Sequence, residues 1–177
     1  MTGVSVTRLI TLDDAAALAK LLQVNRDFLA PWDPLRDDHY FTEAGQLAEI
    51  RGSLSQYRQG VKLPHVILGE SGAPAGRINL NNIVRGAFQS GSLGYWVSAT
   101  ETGRGLATAA VREMVGLAFG QLHLHRVEAG TLPHNVGSRR VLERNGFVRF
   151  GMAPGYVKIA GRWQDHVLYQ LLNPAAG

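Results

Sequence analysis

Leu93-Gly94-Tyr95-Trp96-Val97-Ser98, followed at a short distance by Thr102-Gly103-Arg104-Gly105-Leu106-Ala107, reads as an apolar strand, a glycine turn and the opening of a helix. The helix predicted over residues 106–122 places Ala110, Met114, Leu117 and Ala118 on one face. Glycines 103 and 105 let the backbone turn tightly and approach a ligand closely. The N–H groups of a first helical turn, aligned with the helix dipole, favour an anion, and Arg104 adds a positive charge. A phosphate-bearing ligand suits such a place. On its own, Gly-x-Gly also fits a solvated loop at a helix start. The turn is not a P-loop, because no Lys-Ser/Thr ending follows. Nor is it a dinucleotide fingerprint, which needs a third glycine and a later acidic partner.

Working outward, residues 4–10 alternate as a strand, and Thr11 or Asp13 caps a helix whose apolar part is 15–22. Residues 25–41 carry Pro31, Trp32 and Pro34 and predict a loop with a short helix, and a second helix runs from Thr42 to about Gly60. Strands are expected at 65–70, 75–84 and 93–98. Beyond the glycine turn and its helix come a strand at 126–131 and a helix at 135–145 that stops at Gly146. Short strands at 147–151, 157–160 and 166–172 close the chain. This order predicts an α+β fold around a largely antiparallel sheet, not the regular alternation of a doubly wound one.

The 177 residues, 45% hydrophobic and 18% charged, suffice for one folded domain. With no cysteine there is no disulfide framework, thiolate metal site or cysteine nucleophile. The net charge of +4 favours anionic partners, but no Lys/Arg run with interleaved aromatics appears, so direct nucleic-acid binding is not expected. Arg112 and Glu113 interrupt the most apolar segment, which cannot span a membrane. Met1-Thr2-Gly3-Val4 lacks the start of a signal peptide, and a cytoplasmic protein is expected.

Together with Asn135-Val136-Gly137-Ser138 and Leu142-Glu143-Arg144-Asn145-Gly146-Phe147, the glycine turn resembles the GCN5-related N-acetyltransferase (GNAT) superfamily. The family's turn reads Gln/Arg-x-x-Gly-x-Gly/Ala, and here Thr102 stands at the first position. Ala30-Pro31-Trp32-Asp33-Pro34, Asn82-Ile83-Val84-Arg85, Leu132-Pro133-His134-Asn135 and Gly161-Arg162-Trp163-Gln164-Asp165-His166 look like the RimJ/RimL-type ribosomal-protein-alanine acetyltransferases. The resemblance implies a mostly antiparallel mixed sheet of six to seven strands flanked by about four helices. It implies acetyl-CoA as co-substrate, no metal, and direct transfer to an amine, most readily a protein N-terminal α-amine. A small-molecule amine acceptor and a non-catalytic CoA-binding module are the alternatives. Acetyl-CoA and an acceptor peptide, with a ribosomal protein as the typical target, are the expected partners; a homodimer is left open.

The resemblance also implies roles. Trp96, Val97 and Ser98 fall where the family's sheet splays and exposes main-chain donors. Thr102, Gly103, Arg104, Gly105, Leu106, Ala107 and Thr108 hold the pyrophosphate, and Asn135 and Arg140 add cofactor contacts. Ser138 is the candidate acid for the leaving thiolate; its alternative is a local bond at the helix start. Asn135 competes between cofactor contact and helix capping. Trp32, Arg85 and Tyr156 fall along the acceptor groove. Ser92-Leu93 stands where many relatives carry a glutamate, so no base is identified. His123 and His125 lack a third ligand nearby and are read as packed or solvated. Asp165-His166 suggests an oriented imidazole, with structural bonding as the plainer reading.

Overall fold

The computed structural model describes residues 5–175. Seven strands, β1 (Thr7–Leu9), β2 (Leu63–Leu68), β3 (Pro74–Val84), β4 (Ser90–Val97), β5 (Arg126–Thr131), β6 (Val148–Ile159) and β7 (Arg162–Leu172), form one sheet in the order β1-β2-β3-β4-β5-β7-β6. The helices are α1 (Ala15–Val24), α2 (Arg26–Leu29), α3 (Glu43–Arg58), α4 (Leu106–Gly120) and α5 (Val136–Arg144). Every neighbouring strand pair is antiparallel except β4 and β5. A parallel pair cannot be joined by a hairpin, and α4 is the crossover that joins this one.

Helices cover both faces. On one, Ala110, Val111, Met114 and Ala118 of α4 pack on Ile67, Ile78, Leu80, Leu93 and Val127 of the sheet. Leu117, expected on that face, is only half-buried, and Val111 takes the central position. On the other, a smaller core joins Ile10, Ala15, Leu18, Ile50 and Val66 beneath α1 and α3. No helix among the described residues is long and apolar enough to cross a membrane.

Local chemistry explains most element ends. The Thr42 hydroxyl accepts the Gly45 N–H at 3.0 Å and starts α3. Gly146, at φ 83°, turns the chain after α5. β2 and β4 begin two and three residues earlier than expected, at Leu63 and Ser90, and three other strands depart further. β1 is confined to Thr7–Leu9, and Val4 lies outside the described residues. The two short strands expected at 147–151 and 157–160 are one strand, β6, because β7 continues as its partner across the interruption. Register shifts between Arg149 and Gly151 and between Ala153 and Val157 absorb Pro154 and Gly155, whose N–H is taken by Asp165 Oδ1 at 2.8 Å. β7 accordingly begins at Arg162 instead of His166.

The edge strand β1 is held by one side chain of α4. The Glu113 carboxylate accepts the N–H groups of Val6 (2.7 Å) and Thr7 (2.9 Å) and the hydroxyls of Ser5 and Thr7. The Thr7 hydroxyl also lies 3.2 Å from Nδ1 of buried His65. Burial pulls His65 down to about 4, against the opposing pull of Glu113.

Glu113→Ala removes the acceptor for these donors and is expected to cost about 2 kcal/mol. For a domain of this size that lowers Tm by roughly 4–8 °C. Arg112→Ala, on the exposed side of the same helix turn, should stay within about 0.5 kcal/mol. Thermal denaturation of the two variants checks the contrast. An unfolded histidine takes up its proton near pH 6.5, whereas folded His65 resists until about 4. Across that window the unfolded chain binds the extra proton, so stability falls as the pH drops. His65→Gln should flatten this part of the stability curve in urea titrations at several pH values.

Candidate active site

The exit of β4 is locked in place before the glycine turn begins. The Ser98 N–H donates to Ala75 O at 2.8 Å, and its hydroxyl lies 3.2 Å from Oδ1 of buried Asn25. The same Oδ1 accepts the Ala99 N–H at 2.8 Å, while Asn25 Nδ2 donates to Leu21 O. Residues Ala99–Glu101 form a single 3-10 turn, on which the Thr102 hydroxyl donates to Ala99 O at 2.7 Å. Thr102 thus completes the turn with a bond of its own.

Gly103 (φ 76°) and Gly105 (φ 82°) then occupy the left-handed region. A Cβ at either would meet nothing within 4 Å, so the requirement is conformational and the space beside the turn is open. Gly105 is the N-cap of α4, and no side chain caps the helix. The N–H groups of Leu106, Ala107 and Thr108 therefore stand at the positive end of α4 without intrahelical acceptors. This cradle fits a pyrophosphate. Arg104 is less available than its charge suggests: it pairs with Glu70 at 2.6 Å and lies 3.6 Å from Glu101. Arg140, on α5, is exposed and in no ion pair among the described residues. Asn145 at the end of α5 donates to Thr108 O at 3.2 Å and ties that helix to the first turn of α4.

β4 and β5 pair over only three positions, Ser90–Arg126, Gly91–Val127 and Ser92–Glu128, and then part. The carbonyl of Gln89 accepts the Arg126 N–H, whereas the Ser98 N–H turns to β3. Strand alternation between these points directs the main-chain groups of Tyr95 and Val97 into the gap and those of Trp96 and Ser98 towards β3. Of the three expected donors, only Val97 faces the opening, and Tyr95 joins it. The Ser98 hydroxyl and N–H are both committed to holding the chain.

The Tyr95 side chain crosses to α5. Its hydroxyl lies 2.9 Å from Ser138 Oγ and 3.2 Å from Ser138 O. Burial pushes the phenol up to about 12, outweighing the Ser138 hydrogen bond, so Tyr95 keeps its proton at neutral pH. Asn135 caps α5 by accepting the Ser138 N–H at 3.1 Å. The capping role claims its carbonyl oxygen.

A cleft of about 730 Å³ passes through the gap. Tyr95, Asn135, Ser138 and Leu142 line it on the α4/α5 side, and Trp32, Asp33, Arg36, Tyr40, Glu49, Lys62, Arg77 and Asn79 on the other. Tyr156 and His166 reach it from β6 and β7, their rings 5.8 Å apart, and the Trp32 ring lies 5.4 Å from that of His134, tilted by 37°. Arg85 does not join them. It sits past the β3–β4 end of the sheet, with its guanidinium on Leu122 O and Gln89 Oε1, so its role there is to tie the hairpin to the end of α4. Asp165 does not orient His166 either: its carboxylate holds Gly155, and His166 Nδ1 lies 3.0 Å from Gln164 O. Among the described residues no group of three His, Asp or Glu side chains could hold a metal ion.

Tyr95, Arg77, Asn79 and the Asp33-Arg36-Tyr40 cluster escaped the sequence reading. Tyr95 lay in the strand before the glycine turn and Asp33 in the Ala30–Pro34 stretch, but nothing in their spacing revealed that they converge.

The chain matches the acetyltransferase (GNAT) domain family over residues 6–148. It is 37% identical over 172 residues to the probable N-acetyltransferase YjcK of Bacillus subtilis, covering 94% of this chain and 93% of the relative. It is 34% identical over 171 residues to the [ribosomal protein uS5]-alanine N-acetyltransferase of Escherichia coli, covering 96% and 88%. The solved structure of Mycobacterium smegmatis RimJ in complex with a CoA disulfide superposes with a TM-score of 0.90 at 32% identity, covering 94% of this chain and 80% of that one. The family match and the near full-length relatives place the chain in the GNAT family as an acetyl-CoA-dependent N-acetyltransferase.

Proposed function

We propose that this acetyltransferase modifies the N-terminal α-amine of a protein, of the kind represented by ribosomal proteins. The observation that carries the reading is the cleft, which joins the Tyr95–Ser138 pair on one side of the sheet to a polar and aromatic mouth on the other. The relative that acts on the alanine of ribosomal protein uS5 aligns over nearly the whole chain, which supports the same acceptor class.

Bound acetyl-CoA supplies an acyl thioester. The N–H groups of residues 105–108 would hold its pyrophosphate, with Arg140 adding charge. The main-chain donors of Val97 and Tyr95 would meet the negative charge that develops on the acyl oxygen. The Ser138 hydroxyl, backed by the protonated Tyr95 phenol, would deliver a proton to the departing sulfur. Trp32 and Tyr156 would flank the incoming chain. An α-amine has a pKa of roughly 7.7–8.0 against about 10.4 for lysine, so it is already partly neutral and gives up its proton to water without a carboxylate at Ser92. Holding amine and thioester in line does the rest.

Three outcomes are expected. Gly105→Val forces a β-branched residue into positive φ and should raise the dissociation constant for CoA by about tenfold or more, measured by calorimetry. Parental affinity would remove the turn from the binding site. Ser138→Ala should lower kcat by about a hundredfold on an alanine-led peptide while KM for acetyl-CoA and Tm hold. A parental kcat would shift the proton to Tyr156 or to water. For the parent enzyme, kcat/KM should rise with pH as the α-amine loses its proton. Because Tyr95 holds its own to about 12, no descending limb should follow at moderately alkaline pH.

A further inference from the structure

Arg77 is 5% exposed, yet among the described residues no carboxylate lies within ion-pair distance of it and its Nε is buried without a partner. Two residues on along β3, Asn79 Oδ1 is also buried without a partner. A buried cation and a buried amide oxygen left unpaired each cost free energy, and native structures keep few of them. Both line the cleft, on the face away from Tyr95's side chain. Arg77 pairs across with Trp96, between Tyr95 and Val97 in sequence, so it stands beside the place where β4 opens.

The two groups are complementary to one chemical unit. Arginine only donates, and Asn79 presents an acceptor. A carbonyl and an N–H one bond apart, as in a peptide group, satisfy both. An anion would satisfy Arg77 but leave Asn79 Oδ1 unpaired and meet Asp33 and Glu49 in the same cleft. A polyamine would offer nothing to Arg77 and would be repelled by it, by Arg36 and by Lys62. Burial lowers the Arg77 pKa, opposed by Tyr40 and Glu49, without a direct counter-ion.

We propose that Arg77 and Asn79 bind the first peptide group of the acceptor, the guanidinium donating to its carbonyl oxygen and Asn79 Oδ1 accepting its N–H. This rests on the α-amine reading above and deepens it. The α-amine is attached to the carbon next to that carbonyl, so anchoring the carbonyl brings the amine to the opening between β4 and β5. Selection for an α-amine over a side-chain or polyamine nitrogen follows, because only the α-amine has a peptide group beside it.

The test compares an alanine-led peptide with the same sequence carrying an ester at the first linkage, which keeps the carbonyl and loses the N–H. CoA release is measured for the parent, Arg77→Met and Asn79→Ala. The parent should prefer the amide by about fivefold, and Asn79→Ala should erase that preference. Arg77→Met should lower peptide kcat/KM by at least about tenfold. It should leave KM for acetyl-CoA unchanged and keep or raise Tm, since it removes an unpaired buried charge. Equal turnover of amide and ester by the parent, or parental peptide kcat/KM in Arg77→Met, overturns the assignment while leaving the α-amine reading standing. Should Arg77→Met fail to fold, the amide-to-ester ratios of the parent and Asn79→Ala decide. Turnover of spermidine with none of any peptide overturns both.

Discussion

The parting of β4 from β5 is the constraint on which the rest of this structure depends. In a sheet otherwise built of antiparallel neighbours, these two strands are parallel and share only three paired positions. Beyond Ser92 the main chain of Tyr95 and Val97 has no strand partner on that side. Backbone donors and acceptors left this way are tolerated only where water or a ligand can reach them. The opening therefore leaves main-chain groups unpaired, joins the two faces of the sheet, and lies at the entrance to α4. It also explains the crowding of bonds at Ser98 and Asn25: a strand that has lost one neighbour must be fixed at its end by other means.

Low dielectric is used in two opposite ways on the two sides of the gap. Burial keeps the Tyr95 phenol protonated, which makes it a durable donor behind Ser138. On the other side, burial leaves Arg77 charged but without a counter-ion, which makes it a demanding one. The surface charge Arg104 behaves differently again. Tied to Glu70 and near Glu101, it is a neutralised element of the turn more than a bare cation. What the turn offers an anion is then the uncapped N-terminus of α4, a property of backbone geometry.

The elements were legible wherever chemistry acts locally. The strands expected at 65–70, 75–84 and 126–131 fall on β2, β3 and β5 within two residues, the capped apolar run 15–22 marked α1, helical spacing marked α4, and Thr42, Asn135 and Gly146 marked helix ends that the structure keeps within a few residues. β6 was misread because Pro154 and Gly155 interrupt the pattern; continuity across them comes from pairing with β7, a non-local interaction invisible in a window of sequence. Arg85 was placed along the acceptor groove by its neighbours in the chain, yet the bulge between Asn81 and Val84 and the Leu122 carbonyl carry it to the far end of the hairpin.

By itself the sequence determined the α+β class, the glycine turn with its anion-ready helix, and the placement of Ser138 one turn after its cap, because each depends on residues a few positions apart. Only the tertiary structure decided that Tyr95 stands behind Ser138, that Val97 and not Ser98 faces the gap, and that Arg77 and Asn79 lie unpaired beside it. Those outcomes depend on which strands pair, in what register and for how long. Pairing over 43 positions, as between Tyr95 and Ser138, is settled by the packing of α5 against a sheet assembled from the whole chain.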